Sequence, residues 1–348
     1  MLPFLFFVNL PDLGSKANTK KMKILYAIQG TGNGHVSRAR EVIPHLQRHG
    51  QVDLVLSGTQ AEVGLEQEIK YRFNGMGFVF GKNGGISLLE SWKRFDTRQF
   101  IKDVLALPVE SYDLVISDYE PVTAWACVYR RKKCLAMSHQ ASFKSEFTPR
   151  LPGFHWGAYI LNNYAPATHR VGFHFKPYDS FIQTPIIRKE IRDLRPENLG
   201  HYTVYLPAYS DAFILNLVAP HKTTRWEVFS KHALEPYEKA HVKVIPIHNE
   251  AFLKSLAGCE GFLTGGGFEG PAEALFLRKK LLSVPMKNQY EQQCNALALE
   301  QMGIEVVWQE AQFKDKLKRW VESEHRIEVN YPDTSSELIA KLIQTYGS

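Results

Sequence analysis

Residues 263 to 275 read LTGGGFEGPAEAL: three glycines after a short apolar run, then Glu269 and Glu273, four residues apart. A glycine turn opening a helix makes an anion site, because the first backbone N–H groups of a helix lack partners and its dipole favours negative charge. Pro271 suits a first helical turn, where its missing N–H costs nothing. The helix is therefore expected to start around Phe268 to Gly270. Gly265, Gly266, Gly267 and Phe268 would then hold a diphosphate, with no metal required. Two acids at such a site call for separate duties. Glu273, one turn further in, could accept hydrogen bonds from a vicinal diol such as a ribose. Glu269 shares its helix face. It either favours the dipole from the first turn or touches a sugar, and the first reading is the simpler one.

A second glycine cluster, QGTGNGHVSRA, spans Gln29 to Ala39. The dinucleotide fingerprint would need glycine where His35 stands, and the G-K-[ST] ending of a P-loop is missing. What remains is a tight turn through Gly32, Asn33 and Gly34 that brings backbone close to a ligand. It sets His35 at a helix N-terminus, where the dipole disfavours imidazolium. A neutral imidazole can take a proton from a hydroxyl. A histidine that merely caps the helix fits equally well. Asp118, in SDYEP, ends a strand and could orient His35. Asp118-Tyr119-Glu120 also mimics a metal-binding D-x-D, on weak grounds. His139, in SHQAS, follows the next strand and would face the same cleft, or be buried and satisfied. Further on, PMKNQYEQQCNALALEQMG places Glu291, Gln292, Gln293 and Asn295 before an apolar helix. These groups could bond sugar hydroxyls, or form an ordinary helix start capped by Asn288.

Positioning these residues requires a scaffold, and the chain alternates strand and helix patterns twice. ILYAI, VDLVLSG, YDLVISD, CLAMS and HRVGFHF read as strands of a first half, with VSRAREVIPHL at helical spacing after the first. YTVYLP, FILNLV, VKVIPI, GFLTGG, KLLSVP and IEVVW read as strands of a second half. RWEVFSKHA, EAFLKSLAG, PAEALFLR and EQQCNALALEQMG read as its helices. This is α/β: two Rossmann-like, doubly wound parallel-sheet domains facing a central cleft. The expected boundaries are a disordered extension at 1–21, a first Rossmann-like domain at 22–175 and a linker with little core at 176–200. A second Rossmann-like domain at 201–330 and an amphipathic C-terminal helix at 331–348 complete the chain. Residues 74–98, rich in glycine, form a candidate mobile loop near an acceptor.

Composition narrows the function classes. The chain has 348 residues, 44% hydrophobic and 22% charged, with a net charge of +6. That mild basicity suits anionic ligands or a membrane surface, and no arginine-rich run with interleaved aromatics points to nucleic acid. Cys127, Cys134, Cys259 and Cys294 have no CxxC or zinc spacing, which fits buried thiols in a reducing compartment. No apolar run approaches the ~20 residues that span a bilayer. The opening MLPFLFFVNLPDLGSKANTKK lacks the basic start and cleavage site of a signal peptide. The domain is expected to begin near Met22, with a cytoplasmic location or one at the inner membrane face.

Together, the segment from IHNEAF (Ile247 to Phe252) through LTGGGFEGPAEAL to VPMKNQYEQQCNALALEQMG resembles the donor half of nucleotide-sugar glycosyltransferases with the GT-B fold. It is similar to the UDP-glycosyltransferases and to the lipid-linked N-acetylglucosaminyltransferase of peptidoglycan synthesis (glycosyltransferase family 28). GTGNGH resembles their acceptor-side glycine loop. The resemblance covers most of residues 22 to 310 and is loose between 40 and 200. It implies a hexosyl transfer from a nucleotide-sugar, foremost a UDP-sugar, to a lipid, glycan or small-metabolite hydroxyl, with inversion and without a cofactor or metal. It implies that Gly267 lies at the diphosphate turn, Glu273 holds the ribose diol, and Gln292 and Glu291 meet the donor sugar. Ile247 matches the position whose backbone reads the base, and His35 matches the general base. The departures are Gly265 where many relatives have histidine, Gly270 where many have serine, and the turn YLPAYSDA, which lacks their glycine- or serine-rich pattern. An epimerase of the same fold and a sugar-nucleotide-binding protein without transfer activity are the competing readings.

Overall fold

The computed structural model describes residues 21–58, 65, 67–75 and 95–347. The expected N-terminal extension, except Lys21, and most of the 74–98 loop lie outside them. In the first half the strands are β1 (Met22–Gln29), β2 (Gly50–Ser57), β3 (Tyr71–Phe73), β4 (Leu114–Asp118), β5 (Leu135–Ser138), β6 (His169–Phe173) and β7 (Ile182–Gln183). They form one parallel sheet in the order β3-β2-β1-β4-β5-β6-β7. The helices are α1 (Asn33–Gln47), α2 (Thr97–Ala106), α3 (Pro121–Arg130), α4 (Trp156–Asn163) and α5 (Lys189–Arg192). β1 is buried from Ile24 through Gln29. Its near-continuous apolar run is that of a central parallel strand covered on both faces.

The second half repeats the plan. Its strands are β8 (His201–Tyr205), β9 (Arg225–Ser230), β10 (Tyr237–Lys239), β11 (Val242–Pro246), β12 (Gly261–Gly265), β13 (Lys280–Val284) and β14 (Glu305–Val306). Their order is β10-β11-β9-β8-β12-β13-β14, with only the β10–β11 pair antiparallel. The helices are α6 (Asp211–Val218), α7 (Asn249–Gly258), α8 (Glu269–Phe276), α9 (Tyr290–Gln301), α10 (Phe313–Glu322) and α11 (Ser335–Tyr346). Strand order reverses between β1 and β4 in one sheet and between β8 and β12 in the other. Those reversals open a crevice at the carboxyl ends of the strands, where the two glycine clusters leave β1 and β12.

Two elements exchange identity relative to the sequence reading. FILNLV lies in helix α6, where Ser210 caps the start by accepting from the Phe213 N–H at 3.3 Å. RWEVFS is strand β9 rather than a helix. The apolar run of α6 has no period of its own to separate helix from strand. Its Ser-Asp start is the helix signal that counts.

The segment 176–200 carries more core than expected, for Ile186, Ile187 and Ile191 are all buried. After α10 the chain returns to the first half. There Ile339 and Leu342 of α11 join the buried cluster of Ile43 and Leu46 on α1, and Gly347 lies against Met22. The chain thus passes between the halves twice. The two crossings touch where Arg192 Nη1 donates to the Tyr331 carbonyl at 3.0 Å. All four cysteines are buried and unpaired. Among the described residues, no helix is long and apolar enough to cross a membrane.

Candidate active site

A cavity of about 1110 Å³ lies between the two sheets, lined from the first half by Gly32, Asn33, Gly34 and His35 and from the second by Gly267 to Gly270 and Glu273. His35 stands in the first turn of α1, whose N-cap is Gly32. Asp118 ends β4, the strand beside β1, in register with Ile28. The two side chains meet with His35 Nδ1 2.7 Å from Asp118 Oδ1. A carboxylate only accepts, so Nδ1 carries a proton and donates it, and in the neutral imidazole Nε2 is then the acceptor. This orientation is what a general base needs.

Tyr119, immediately after Asp118, adopts a left-handed backbone with φ 58°. This is uncommon for a bulky residue and marks a sharp turn at the strand end. Glu120 turns the other way. It caps α3 by accepting from the Val122 and Thr123 N–H groups at 2.7 and 2.6 Å. The D-x-E pair therefore does not converge on one point.

Arg38 completes the group, and the sequence reading missed it. One turn after His35, it is buried at 3% exposure. It donates from Nε to Asp118 Oδ2 at 3.0 Å and from Nη2 to Asp118 Oδ1 at 2.6 Å. Its Nη1 reaches across the cleft to Glu269. Burial alone would raise the Asp118 pKa, but Arg38 and His35 outweigh it and hold the carboxyl below the usual carboxylate range. Glu269 has only one N–H of this guanidinium. Burial therefore prevails over Arg38, and its carboxyl is pushed up to about 7. Glu269 stands in the first turn of α8, as expected of a dipole acid, and in addition bridges the two halves.

On the other wall, Gly267 opens onto the cavity with nothing near the place a Cβ would occupy. Gly265 and Gly266 do not line the cavity. At Gly266 a Cβ would meet the Gln292 carbonyl at 2.5 Å, so this glycine serves the close packing of α9 on the β12 turn. Glu273 is gripped by Arg188, with Nε 2.7 Å from Oε1 and Nη2 3.1 Å from Oε2. Burial nevertheless keeps its pKa above the usual value. Arg188 comes from the 176–200 segment, and no sequence motif announces it.

Gln292 lines the cavity but bends back, accepting from the Met286 N–H at 3.1 Å. Gln289, rather than Asn288, caps α9. Ile247 faces the cavity, with its N–H donated to the Ser230 carbonyl at 3.2 Å. Asn295 is fully buried and does not line the cavity. It donates to the Gly266 carbonyl at 3.1 Å and meets His139 Nε2 at 2.7 Å. The other His139 nitrogen lies 2.7 Å from the Phe173 carbonyl, and the ring stacks on Phe268 at 4.0 Å. His139 thus lines the cavity, as expected, while being almost wholly buried, held with Phe268 and Asn295 where the halves meet. Burial lowers its pKa. A last side chain, Gln140, lies between His35 and Glu291; the sequence reading did not single it out.

Comparison with known proteins bears on the family and the fold. The family described as glycosyl transferase family 1 matches residues 22–151 and 159–323. No curated protein matches the chain. Among solved structures, a UDP-glucosyltransferase from Polygonum tinctorium capable of glucosylating indoxyl is similar over 94% of this chain and 93% of that one, at 13% identity and a TM-score of 0.56. UGT2 of Phytolacca americana, complexed with UDP-2fluoro-glucose and pterostilbene, matches over 94% of each chain at 12% identity and a TM-score of 0.56. MurG of Acinetobacter baumannii matches over 92% of this chain and 99% of that one, at 13% identity and a TM-score of 0.52.

Proposed function

The chain belongs to glycosyl transferase family 1, and from that premise we propose that it moves a sugar from a UDP-sugar to an acceptor hydroxyl with inversion. The observation that carries this reading is the His35–Asp118 pair, its Nδ1–H fixed at 2.7 Å, across the cavity from the start of α8. His35 Nε2 takes the acceptor proton as the oxygen attacks the anomeric carbon. The bond to the diphosphate breaks, and its electron pair leaves with the nucleotide. The free N–H groups from Gly267 to Gly270 and the α8 dipole stabilise that developing charge, so the step needs no metal of its own. Glu273 can still accept a ribose diol, because each carboxylate oxygen keeps a second lone pair beside its bond to Arg188. Gln292 must turn away from Met286 to reach a donor sugar beside Glu291.

The test is a thermal-shift screen of the purified chain against UDP-, GDP-, dTDP- and ADP-sugars, with Glu273→Ala run beside it. A donor at 100 times its Kd adds about 2.7 kcal/mol of stability. The expected result is a rise with UDP-sugars that Glu273→Ala loses, read as the shift on adding donor because this variant also frees Arg188. If no nucleotide-sugar shifts the folded wild type, the transfer reading loses its support.

A further inference from the structure

The nitrogen of His35 that must receive a proton is already occupied. Gln140 opens a short 3-10 turn, Gln140–Lys144, directly after β5, and is buried at 7% exposure. Its Nε2 lies 3.3 Å from His35 Nε2 and 3.1 Å from Glu291 Oε1. In the neutral imidazole, with the Nδ1–H committed to Asp118, Nε2 accepts. The amide therefore gives one hydrogen to the base and the other to Glu291 across the cleft. The remaining amide atom, Gln140 Oε1, is buried without a hydrogen-bond partner. A buried polar atom left unsatisfied is costly, and here it belongs to the side chain that blocks the base.

Building on the transfer reaction above, we infer that Gln140 is a positioning residue that latches His35, so that donor cleavage waits for the acceptor. While no acceptor is bound, the amide holds the Nε2 lone pair. An acceptor displaces it, because contacts made by the rest of that molecule offset the lost amide bond. A lone water brings no such contacts and competes poorly for Nε2. The unpartnered Oε1 gives the displaced amide a reason to turn, since it gains a hydroxyl donor on the incoming substrate. In transfer, the acceptor O–H proton goes to Nε2, its oxygen bonds the anomeric carbon, and the diphosphate leaves with the electron pair. In the reaction that the latch suppresses, water takes the acceptor's place and the products are free sugar and nucleoside diphosphate. Glu291, on the donor wall, is the second anchor of the latch.

Gln140→Met tests this, since it keeps the side-chain volume and removes the amide. The first readout needs no substrate: the rate at which diethylpyrocarbonate modifies His35, followed by peptide mass spectrometry. The expected result is a rise of about five- to tenfold at His35, the worth of one hydrogen bond to its nucleophilic nitrogen, with His139 unchanged. An unchanged His35 rate overturns the latch. A parallel rise at His139, which would report loosened packing rather than a freed lone pair, overturns it as well. The second readout uses whichever donor the thermal screen identifies. In Gln140→Met, hydrolysis should rise relative to transfer by a similar factor, and an unaltered ratio overturns the role. If the wild type cleaves none of the four nucleotide-sugar classes, the transfer reading fails while the modification rates still decide the latch.

Discussion

On one wall of the cleft, His35, Asp118 and Arg38 are joined by contacts of 2.6 to 3.0 Å. On the other, Gly267 faces open space and Gln292 folds back to accept from the Met286 N–H at 3.1 Å. On the first wall the imidazole, carboxylate and guanidinium are assembled before any substrate arrives, and only the Gln140 amide at His35 Nε2 has to move. The other wall has its glycine turn and its acid, while the Gln292 amide is held by Met286. On the proposed transfer reading, chemistry is built into one half and recognition is completed by the ligand in the other. Glu269 is the tie between them, reaching from α8 to Arg38.

The comparison can be broken most severely at the base. His35→Ala should lower kcat by about 10²- to 10⁴-fold, while the shift in melting point on adding donor stays as in wild type. Retained transfer would place the base elsewhere. Arg38→Met should cost about 3–5 kcal/mol in urea unfolding, because Asp118 is left buried without its counter-ion. A loss below about 1 kcal/mol would mean that the carboxylate relaxes onto other donors.

Neighbouring glycines sharpen the contrast at the donor wall. Gly266→Ala drives a Cβ to 2.5 Å from the Gln292 carbonyl and should cost about 1–3 kcal/mol of stability. Gly267→Ala meets nothing and should leave stability unchanged while weakening the donor's thermal shift. Equal stability losses in the two would remove the distinction.

The smallest effect lies in pH. The folded state raises the Glu269 pKa from 4.5 to about 7. The folded protein therefore holds the extra proton between these values, and its contribution to stability is full below about 4.5 and lost as pH rises through 7. With 18% of the side chain exposed, the loss is on the order of 1 kcal/mol. Glu269→Gln should flatten that slope in denaturation followed at pH 5, 6, 7 and 8.

The two sheets were legible because buried parallel strands announce themselves as apolar runs, and because their glycine-rich ends stand out. The pairing of His35 with Asp118 was legible for the same reason, both residues leaving strand ends. What was hidden depends on distance along the chain. Arg188 reaches Glu273 across 85 residues and Gln140 reaches Glu291 across 151, and no local pattern encodes either meeting. Arg38 offered a weak signal, one helical turn after His35 on the same face. The first-turn place of Glu269 was legible, but its ion pair was not, since only the assembled cleft brings the Arg38 guanidinium to it. The exchange of α6 and β9 has a different origin. The alternation of Arg225 and Glu227 with Trp226 and Val228 is a strand period, and the Ser210 cap a helix start; a short apolar run outweighed both.

The return of α11 to α1, with Gly347 against Met22, brings the ends of the described residues together. A short glycine–serine tether could join them and new ends could be cut at Asn198, which is exposed. Circular permutation of this kind is tolerated where ends lie close. It would sever one crossing and leave every residue of the cleft in place. Such a permutant would separate what the cleft's residues do from what the double strap around them does, with no side chain changed.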